Sequence, residues 1–200
     1  MDKSQPLNVL LVSGSSGQKS TTRVVLSRLD ERLESLGCKV DFWDLAQNPL
    51  PLFDIDTTYS SEAYAEVSRR ANEADVLVLG TPDYHGTMSS NLKNFLDHLW
   101  KELAGKLIGS VVGSYEKGLT VTDHIRTVSR QCYAWSLPYG VSFQEKSDVC
   151  FESGIKSEDL NSRIDMMASD LFRYGQILSD LRNEGLHGDM PSFMAHYRKK

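Results

Sequence analysis

Residues 76–88 read VLVLGTPDYHGTM, and an apolar-periodic segment begins at Asn91. The apolar run predicts a buried strand and the periodic segment predicts a helix, so a short loop joins the two. In that loop Pro82 fixes its own φ and pushes Thr81 toward an extended conformation, while Gly86 permits a close approach to a ligand or a turn at positive φ. An ordinary strand-to-helix turn explains the same residues, because Pro, Gly and Asp punctuate most such connections. We expect the chemistry of the protein in this loop.

The rest of the chain alternates between short apolar runs, which predict strands, and segments of helical periodicity. Besides Asp75–Gly80, the predicted strands are Asn8–Ser13, Lys39–Asp44, Leu107–Val112 and a last one around Tyr139–Phe143. The first predicted helix begins near Ser20, the second spans Ser61–Ala74, and the fifth follows Ser157. The apolar face of the third carries Leu92, Phe95, Leu96 and Leu99, and that of the fourth carries Ile125, Val128, Cys132 and Trp135.

Five strands that alternate with five helices predict an α/β fold with a doubly wound, five-stranded parallel sheet. Three of the strands are almost wholly apolar, which is typical of a sheet that has helices on both faces. In such sheets ligands bind beyond the carboxyl ends of the strands, at the switch in strand order. For the order 2-1-3-4-5 this switch lies between the first and third strands, so the loops after those two strands form the candidate site.

The composition indicates one globular domain that acts on a small molecule. The chain has 200 residues, of which 40% are hydrophobic and 24% charged, and its net charge of −5 argues against nucleic-acid binding. No apolar run is long enough to span a membrane, and no signal-peptide pattern precedes the first strand. Three cysteines without a C-x-x-C pair argue against disulfides and a metal site. We expect a single domain over residues 1–200, with a tail from about residue 185, in the cytoplasm.

A second informative loop joins the first strand to the first helix. Residues 13–23 read SGSSGQKSTTR, so hydroxyl and amide groups crowd a helix N-terminus, where unpaired N–H groups hold anions. Lys19 and Arg23 add positive charge. A flexible loop with Ser20 as a simple N-cap is the alternative, and neither the Walker A nor the G-x-G-x-x-G pattern is present. A phosphate loop opposite an aromatic loop suits a ligand with a phosphate at one end and a flat ring at the other, which is the shape of FMN.

Both loops resemble those of the NADPH-dependent FMN reductase family, and the similarity covers most of the chain. Residues 81–97, TPDYHGTMSSNLKNFLD, follow the family pattern [ST]-P-E-Y-[NH]-G-[ST]-x-[ST]-x-x-L-K-N-x-[LI]-D, with Asp83 in place of glutamate. The first loop resembles G-S-x-R-x-x-S-x-[NT], except that Gly17 replaces the arginine. The third loop of this chain, residues 113–118 (GSYEKG), is bulkier than the glycine-rich loop of the family.

The resemblance implies a flavodoxin-like fold and an FMN-dependent NAD(P)H oxidoreductase. NADPH, or NADH, would pass a hydride to bound FMN, which then reduces a quinone, a flavin, an azo compound or a metal species. It also implies a homodimer or homotetramer, and no side chain acts as a catalytic nucleophile or base because the flavin carries the chemistry. The candidate FMN-binding residues are Ser15, Ser16, Gly17, Ser20, Thr21, Thr22, Pro82, Asp83, Tyr84, His85, Gly86, Ser114 and Tyr115.

Two other functions remain open at this point. A flavodoxin-type electron-transfer protein would bind FMN without oxidising NADPH, although its T-x-T-G-x-T loop has threonines where this chain has Gly14 and Lys19. A non-enzymatic regulator would keep the fold as an interaction module and bind no FMN. The sequence leaves open the electron acceptor, the choice between NADPH and NADH, the oligomer size, the role of the third loop, and whether Lys19 or Arg23 replaces the family arginine.

Overall fold

A computed structural model of the chain describes residues 6–198. Strands and helices alternate up to residue 131, and four short strands then follow one another before the last α-helix. The strands are β1 (Asn8–Ser13), β2 (Lys39–Asp44), β3 (Val76–Pro82), β4 (Leu107–Gly113), β5 (Trp135–Ser136), β6 (Val141–Phe143), β7 (Val149–Cys150) and β8 (Gly154–Ile155). The α-helices are α1 (Thr21–Ser35), α2 (Glu62–Glu73), α3 (Ser90–Asp97), α4 (Leu119–Gln131) and α5 (Glu158–His187).

The central sheet is parallel and has the order β2-β1-β3-β4, with β5 and β6 both paired to the outer edge of β4. The predicted order 2-1-3-4-5 is therefore confirmed, but the fifth position is shared by two short strands. Pro138 lies between them and has no N–H to donate to β4, which interrupts the ladder. The prediction that Trp135 lies on the face of the fourth helix is wrong, because Tyr133 adopts φ +57° and the chain has left α4 before Trp135.

Successive strand residues point to opposite faces of the sheet, and each face is covered by helices. Val9 and Leu11 pack in a core with side chains of α1 and α5, whereas Leu10 and Val12 pack with side chains of α2, α3 and α4. The prediction of helices on both faces is confirmed. Among residues 6–198, none of the helices combines the length and the apolarity that a membrane span requires.

The C-terminal region is more ordered than the predicted tail. Residues 185–187 belong to α5, and a short 3₁₀ helix follows at Phe193–Tyr197. Met194 in this helix is buried, and a Cβ atom added at Gly105 or Gly185 would lie 2.8 Å from it. The glycines therefore permit close packing of the C-terminal segment, whose last two residues lie outside the described range.

One buried lysine pairs with the carbonyl groups at the end of α2. Lys106, which directly precedes β4, is 1% exposed, and its Nζ donates to the carbonyl oxygens of Ala71 (2.6 Å), Asn72 (3.0 Å) and Ala74. The lysine thus satisfies acceptors that a helix C-terminus leaves unpaired. Burial, and to a lesser extent the Arg182 guanidinium, lower the pKa of Lys106 to about 7.

We expect Lys106 to make the protein more stable as the pH rises from about 7 to about 10. The unfolded chain binds the lysine proton below about pH 10.4, but the folded chain binds it only below about pH 7, so unfolding takes up a proton between these values. The free energy of unfolding should rise by up to about 1.4 kcal/mol per pH unit from this group. Urea unfolding between pH 7 and pH 10 measures this dependence. In Lys106→Met the free energy of unfolding should no longer rise with pH, and an unchanged rise would contradict the assignment of this proton to Lys106.

Candidate functional site

The loops after β1 and β3 lie side by side at the switch in strand order. The amide of Gly14 donates to the carbonyl of Gly80 at 2.8 Å, and Oγ of Ser89 donates to the carbonyl of Gly14 at 2.7 Å. A Cβ atom at Gly14 would lie 2.6 Å from Cβ of Leu92, so only glycine allows this approach. Ser89 also accepts from the amide of Leu92 and caps α3. Ser89 therefore fixes the first loop against the second, a role that the sequence did not indicate.

The aromatic loop after β3 is a two-residue β-hairpin turn. Tyr84 and Thr87 exchange both backbone hydrogen bonds, at 3.0 and 3.2 Å, around His85 (φ +57°) and Gly86 (φ +78°). Positive φ at both central residues defines a type I′ turn, in which glycine is strongly preferred at the second position. Of the two roles that the sequence allowed for Gly86, the structure supports the turn at positive φ.

Asp83 joins the aromatic loop to the third loop, which follows β4. Its Oδ1 accepts from the amide of Gly86 at 2.8 Å, and its Oδ2 accepts from Oγ of Ser114 at 2.7 Å. The amide of Asp83 donates to the carbonyl of Gly113 at 2.7 Å. Both carboxylate oxygens are thus used within the protein, and Asp83 fixes the position of the turn relative to β4.

These three loops border one cleft, a cavity of about 230 Å³. Ser20 and Tyr84 both line it, so the two predicted loops face the same space. Of the predicted residues, the cleft is lined by Ser15, Gly17, Ser20, Thr21, Thr22, Pro82, Asp83, Tyr84, Ser114 and Tyr115, and not by Ser16, His85 and Gly86. Further lining residues are Lys19, Gly113, Phe143 and Glu145.

The hydroxyl end of the cleft is the start of α1. Ser20 caps the helix, since its side chain accepts from the amide of Arg23 at 3.2 Å. Thr21 and Thr22 form the first turn and are buried, and Ser15 accepts from the amide of Gly17 at 3.3 Å. Helix amides and hydroxyls therefore converge where an anion gains most from the helix dipole.

Arg23 contacts the backbone of this loop and does not line the cleft. Its Nη1 and Nη2 donate to the carbonyls of Gln18 (2.9 Å) and Gly17 (3.3 Å), and its Nε lies 2.6 Å from Oδ2 of Asp44. Asp44, the last residue of β2, is 8% exposed in its side chain and pairs with Arg23. Arg23 therefore orders the loop and leaves the role of the family arginine to other groups.

Lys19 is the other cation of the loop, and it too has an acidic partner. Its Nζ lies 3.0 Å from Oε1 of Glu152, and both side chains are largely exposed. The Cys150 thiol, which donates to Oε2 of Glu152, and the Lys19 ammonium lower the pKa of Glu152 to about 2. The carboxylate is therefore charged at neutral pH.

A larger cavity of about 800 Å³ lies elsewhere, between α2 and the end of α5. Its lining includes Glu102 and Arg182 but no residue of the three loops. Oε1 of Glu102 already accepts hydrogen bonds from the hydroxyls of Tyr64 (2.8 Å) and Ser68 (2.9 Å). Because ligands of this sheet type bind at the carboxyl ends of the strands, we take the smaller cleft as the site.

Comparison with known proteins connects this arrangement to one family. The family model for NADPH-dependent FMN reductase matches residues 7–148. An FMN-dependent NADPH-azoreductase of Staphylococcus aureus (strain USA300) is 30% identical over 183 residues, which cover 87% of this chain and 95% of that protein.

Solved structures share the fold at low sequence identity. The flavoenzyme NAD(P)H:(acceptor) oxidoreductase FerB from Paracoccus denitrificans superposes with a TM-score of 0.70 at 14% identity, covering 86% of this chain and 98% of FerB. An FMN-dependent NADH-azoreductase from Bacillus anthracis in complex with FMN gives a TM-score of 0.63 at 11% identity, covering 84% and 100%.

These matches confirm the predicted flavodoxin-like fold and the resemblance seen in the two loops. With the family come the predicted oxidoreductase class, FMN as cofactor and a reduced nicotinamide as electron donor. The chain belongs to the NADPH-dependent FMN reductase family.

Proposed function

We propose that this protein holds FMN in the cleft between its three loops and uses it to pass electrons from NADPH or NADH to a small-molecule acceptor. The observation that carries the proposal is that Ser20 and Tyr84 line one cleft, with hydroxyls and helix amides at one end and aromatic side chains at the other. When bound, FMN accepts a hydride from the nicotinamide and releases the electrons in a second half-reaction.

The residues present fit a phosphorylated flavin. The start of α1 offers the hydroxyls of Ser15, Ser20 and Thr22 together with helix amides, which is the donor set that phosphate prefers. The cavity of about 230 Å³ is smaller than the 300 Å³ or more of most ligand pockets, so it encloses only part of a flavin. We infer that the ring lies at the open side, against Tyr84 and Tyr115, which are 50% and 75% exposed.

The chain itself supplies position and charge complementarity. Within the described turn the amides of Tyr84 and Gly86 donate to Thr87 and Asp83, so the type I′ turn leaves the amide of His85 for the negative charge that a flavin gains on reduction. Ser16, His85 and Gly86, which do not line the cleft, contribute through loop conformation, whereas the side chains that line it contact the cofactor. No side chain has to act as nucleophile or general base.

Among acceptors, we favour azo compounds over quinones, free flavins and metal species. The support is the 30% identical relative, whose name describes an FMN-dependent NADPH-azoreductase. The test is anaerobic NADPH consumption by the purified protein with one equivalent of FMN and methyl red, a quinone or ferric citrate, since oxygen would reoxidise the reduced flavin. We expect consumption beyond one equivalent per FMN to require an added acceptor and to be fastest with the azo dye. Repeated turnover without an added acceptor, or none with any acceptor, would contradict the proposal.

We expect Asp83→Ala to weaken FMN binding more than Asp83→Asn does. Alanine removes the hydrogen bonds of the carboxylate with the Gly86 amide and the Ser114 hydroxyl, each typically worth about 1 kcal/mol, so the loss should be up to about 30-fold. Asparagine keeps an acceptor for the amide of Gly86 and should cost only a few-fold. Fluorescence titration of FMN with both variants measures this, and equal affinities would show that Asp83 does not position the loop.

We also propose a homodimer or homotetramer. The loop after β2 carries exposed apolar side chains at Leu52 and Ile55, and its Phe53 amide donates to Oδ1 of Asn94 in α3. Light scattering of the purified protein tests the oligomeric state. A monomer at micromolar concentration would contradict the proposal.

We propose that the chain is one domain that works in the cytoplasm. Support for the compartment comes from Cys38, Cys132 and Cys150, which are all free, as expected where thiols remain reduced. Limited proteolysis tests the single domain: one protected fragment is expected, and two stable fragments would contradict it. Fractionation of cells that express the protein tests the compartment, and recovery outside the cytoplasm would contradict that assignment.

A further inference from the structure

The segment after β6 brings two carboxylates to the phosphate loop. Glu145 lines the cleft, and its Oε1 accepts a hydrogen bond from Oγ1 of Thr21 at 3.4 Å. Oε1 of Glu152 lies 3.0 Å from Nζ of Lys19. Thr21 and Lys19 belong to the region that forms the phosphate end of the proposed site. The two carboxylates therefore contact groups that an incoming phosphate would use.

This acidic segment, residues 144–152, is held in place by further hydrogen bonds. The amide of Gln144 donates to Oδ2 of Asp148 at 2.8 Å, and the side chain of Gln144 donates to the carbonyl of Tyr115 at 2.8 Å. The β7–β8 hairpin then directs the chain back toward α5. The two carboxylates are thus presented from a braced turn that is also attached to the third loop.

The charges around the phosphate end favour weak binding of an anion. Gly17 stands where the family pattern has an arginine, Arg23 is paired with Asp44, and Lys19 is paired with Glu152. A phosphate must displace the carboxylate at Thr21 and must compete for Lys19. Like charges at close distance also raise the free energy of the bound phosphate.

We propose that the acidic segment weakens the hold on the FMN phosphate, so that FMN exchanges with solution instead of remaining permanently bound. The inference rests on the proposed function, because it requires the phosphate at the start of α1. On FMN binding, Lys19 moves from Glu152 to the phosphate, and Glu145 withdraws from Thr21. The two carboxylate side chains thereby compete with the phosphate but not with the flavin ring.

Titration of the apoprotein with FMN and with riboflavin, which lacks the phosphate, tests the proposal. Glu145→Gln is expected to tighten FMN about two- to fivefold, the range for exposed charge pairs, and to leave riboflavin unchanged. Glu34→Gln, which removes an exposed carboxylate on α1 away from the cleft, is the matched control and should change neither affinity. An unchanged FMN affinity, or equal tightening of both flavins, overturns the proposal and leaves the proposed function standing.

A second variant tests the role of Lys19 separately. Glu152→Gln frees Lys19 and should tighten FMN by a similar factor, whereas the same substitution in a Lys19→Ala background should have no effect. If Glu152→Gln still tightens FMN binding in the Lys19→Ala background, Lys19 does not exchange Glu152 for the phosphate. Failure of the wild-type protein to bind either flavin, or equal wild-type affinity for FMN and riboflavin, overturns both the inference and the proposed phosphate site.

Discussion

Gly86→Val is expected to lower the affinity for FMN about 5- to 30-fold while the fold is retained. An L-residue in the left-handed region costs about 1–2 kcal/mol, and a β-branched side chain tolerates it least. A Cβ atom at Gly86 would meet only Oγ1 of Thr120, at 3.6 Å, so the cost arises in the backbone and not from a clash. The turn is expected to leave φ +78°, which re-aims the amide of His85 beside the flavin ring. Titration of the apoprotein with FMN measures the loss.

Two variants control this result. Gly37→Val places the same side chain at φ +87°, at the end of α1, where nothing lies within 4 Å, so stability should fall and FMN binding should remain. His85→Ala should cost about twofold, because His85 already occupies a positive φ that histidine tolerates better than most residues. Equal FMN affinity in Gly86→Val and His85→Ala would show that the turn does not position the ring.

Arg23→Ala is expected to lower the free energy of unfolding by about 3 kcal/mol and to weaken FMN binding. The substitution leaves the carboxylate of Asp44, 8% exposed, without its cationic partner, and removal of one member of a buried pair costs about 3–5 kcal/mol. We take the lower end because the arginine is 19% exposed. The loop also loses both carbonyl contacts of the guanidinium. Urea unfolding measures the stability.

The double variant Arg23→Ala/Asp44→Asn separates charge from loop order. It should recover most of the stability, because no unpaired carboxylate remains buried, but it should not recover FMN affinity, because Gln18 and Gly17 still lack their donors. Arg23→Lys should likewise keep most of the stability but lose FMN affinity, since an ammonium lacks the planar fork that reaches both carbonyls. Full FMN affinity in Arg23→Ala would show that the arginine does not order the loop.

The fold could be predicted from the sequence because its strands are short, apolar and separated by clear helical periods. Val76–Gly80 and Asn8–Ser13 can be buried on both faces only in a covered parallel sheet, and this constraint places both strands in its interior, as observed. The fifth strand was less predictable, since two residues at Trp135–Ser136 carry no periodicity and the helix before them ends through a positive φ at Tyr133.

The site was predictable at its two local loops and not where distant segments meet them. Ser20 and Tyr84 each follow a strand whose carboxyl end faces the switch in strand order. Glu145 also follows a strand, β6, but its contact with Thr21 joins residues 124 positions apart, which no local pattern reports. Asp83 and Arg23 likewise have partners that are distant in sequence, Ser114 and Asp44, so no local pattern reports how they fix the loops.

FMN held in this cleft should be open to reduction by a reduced nicotinamide. The most direct measurement is the absorbance of the FMN-loaded protein after anaerobic addition of NADPH, followed near 450 nm, where oxidised flavin absorbs. We predict bleaching within seconds, with one equivalent of NADPH consumed per FMN. An unchanged flavin spectrum over minutes would contradict the account and favour an electron-transfer protein that binds FMN without oxidising NADPH.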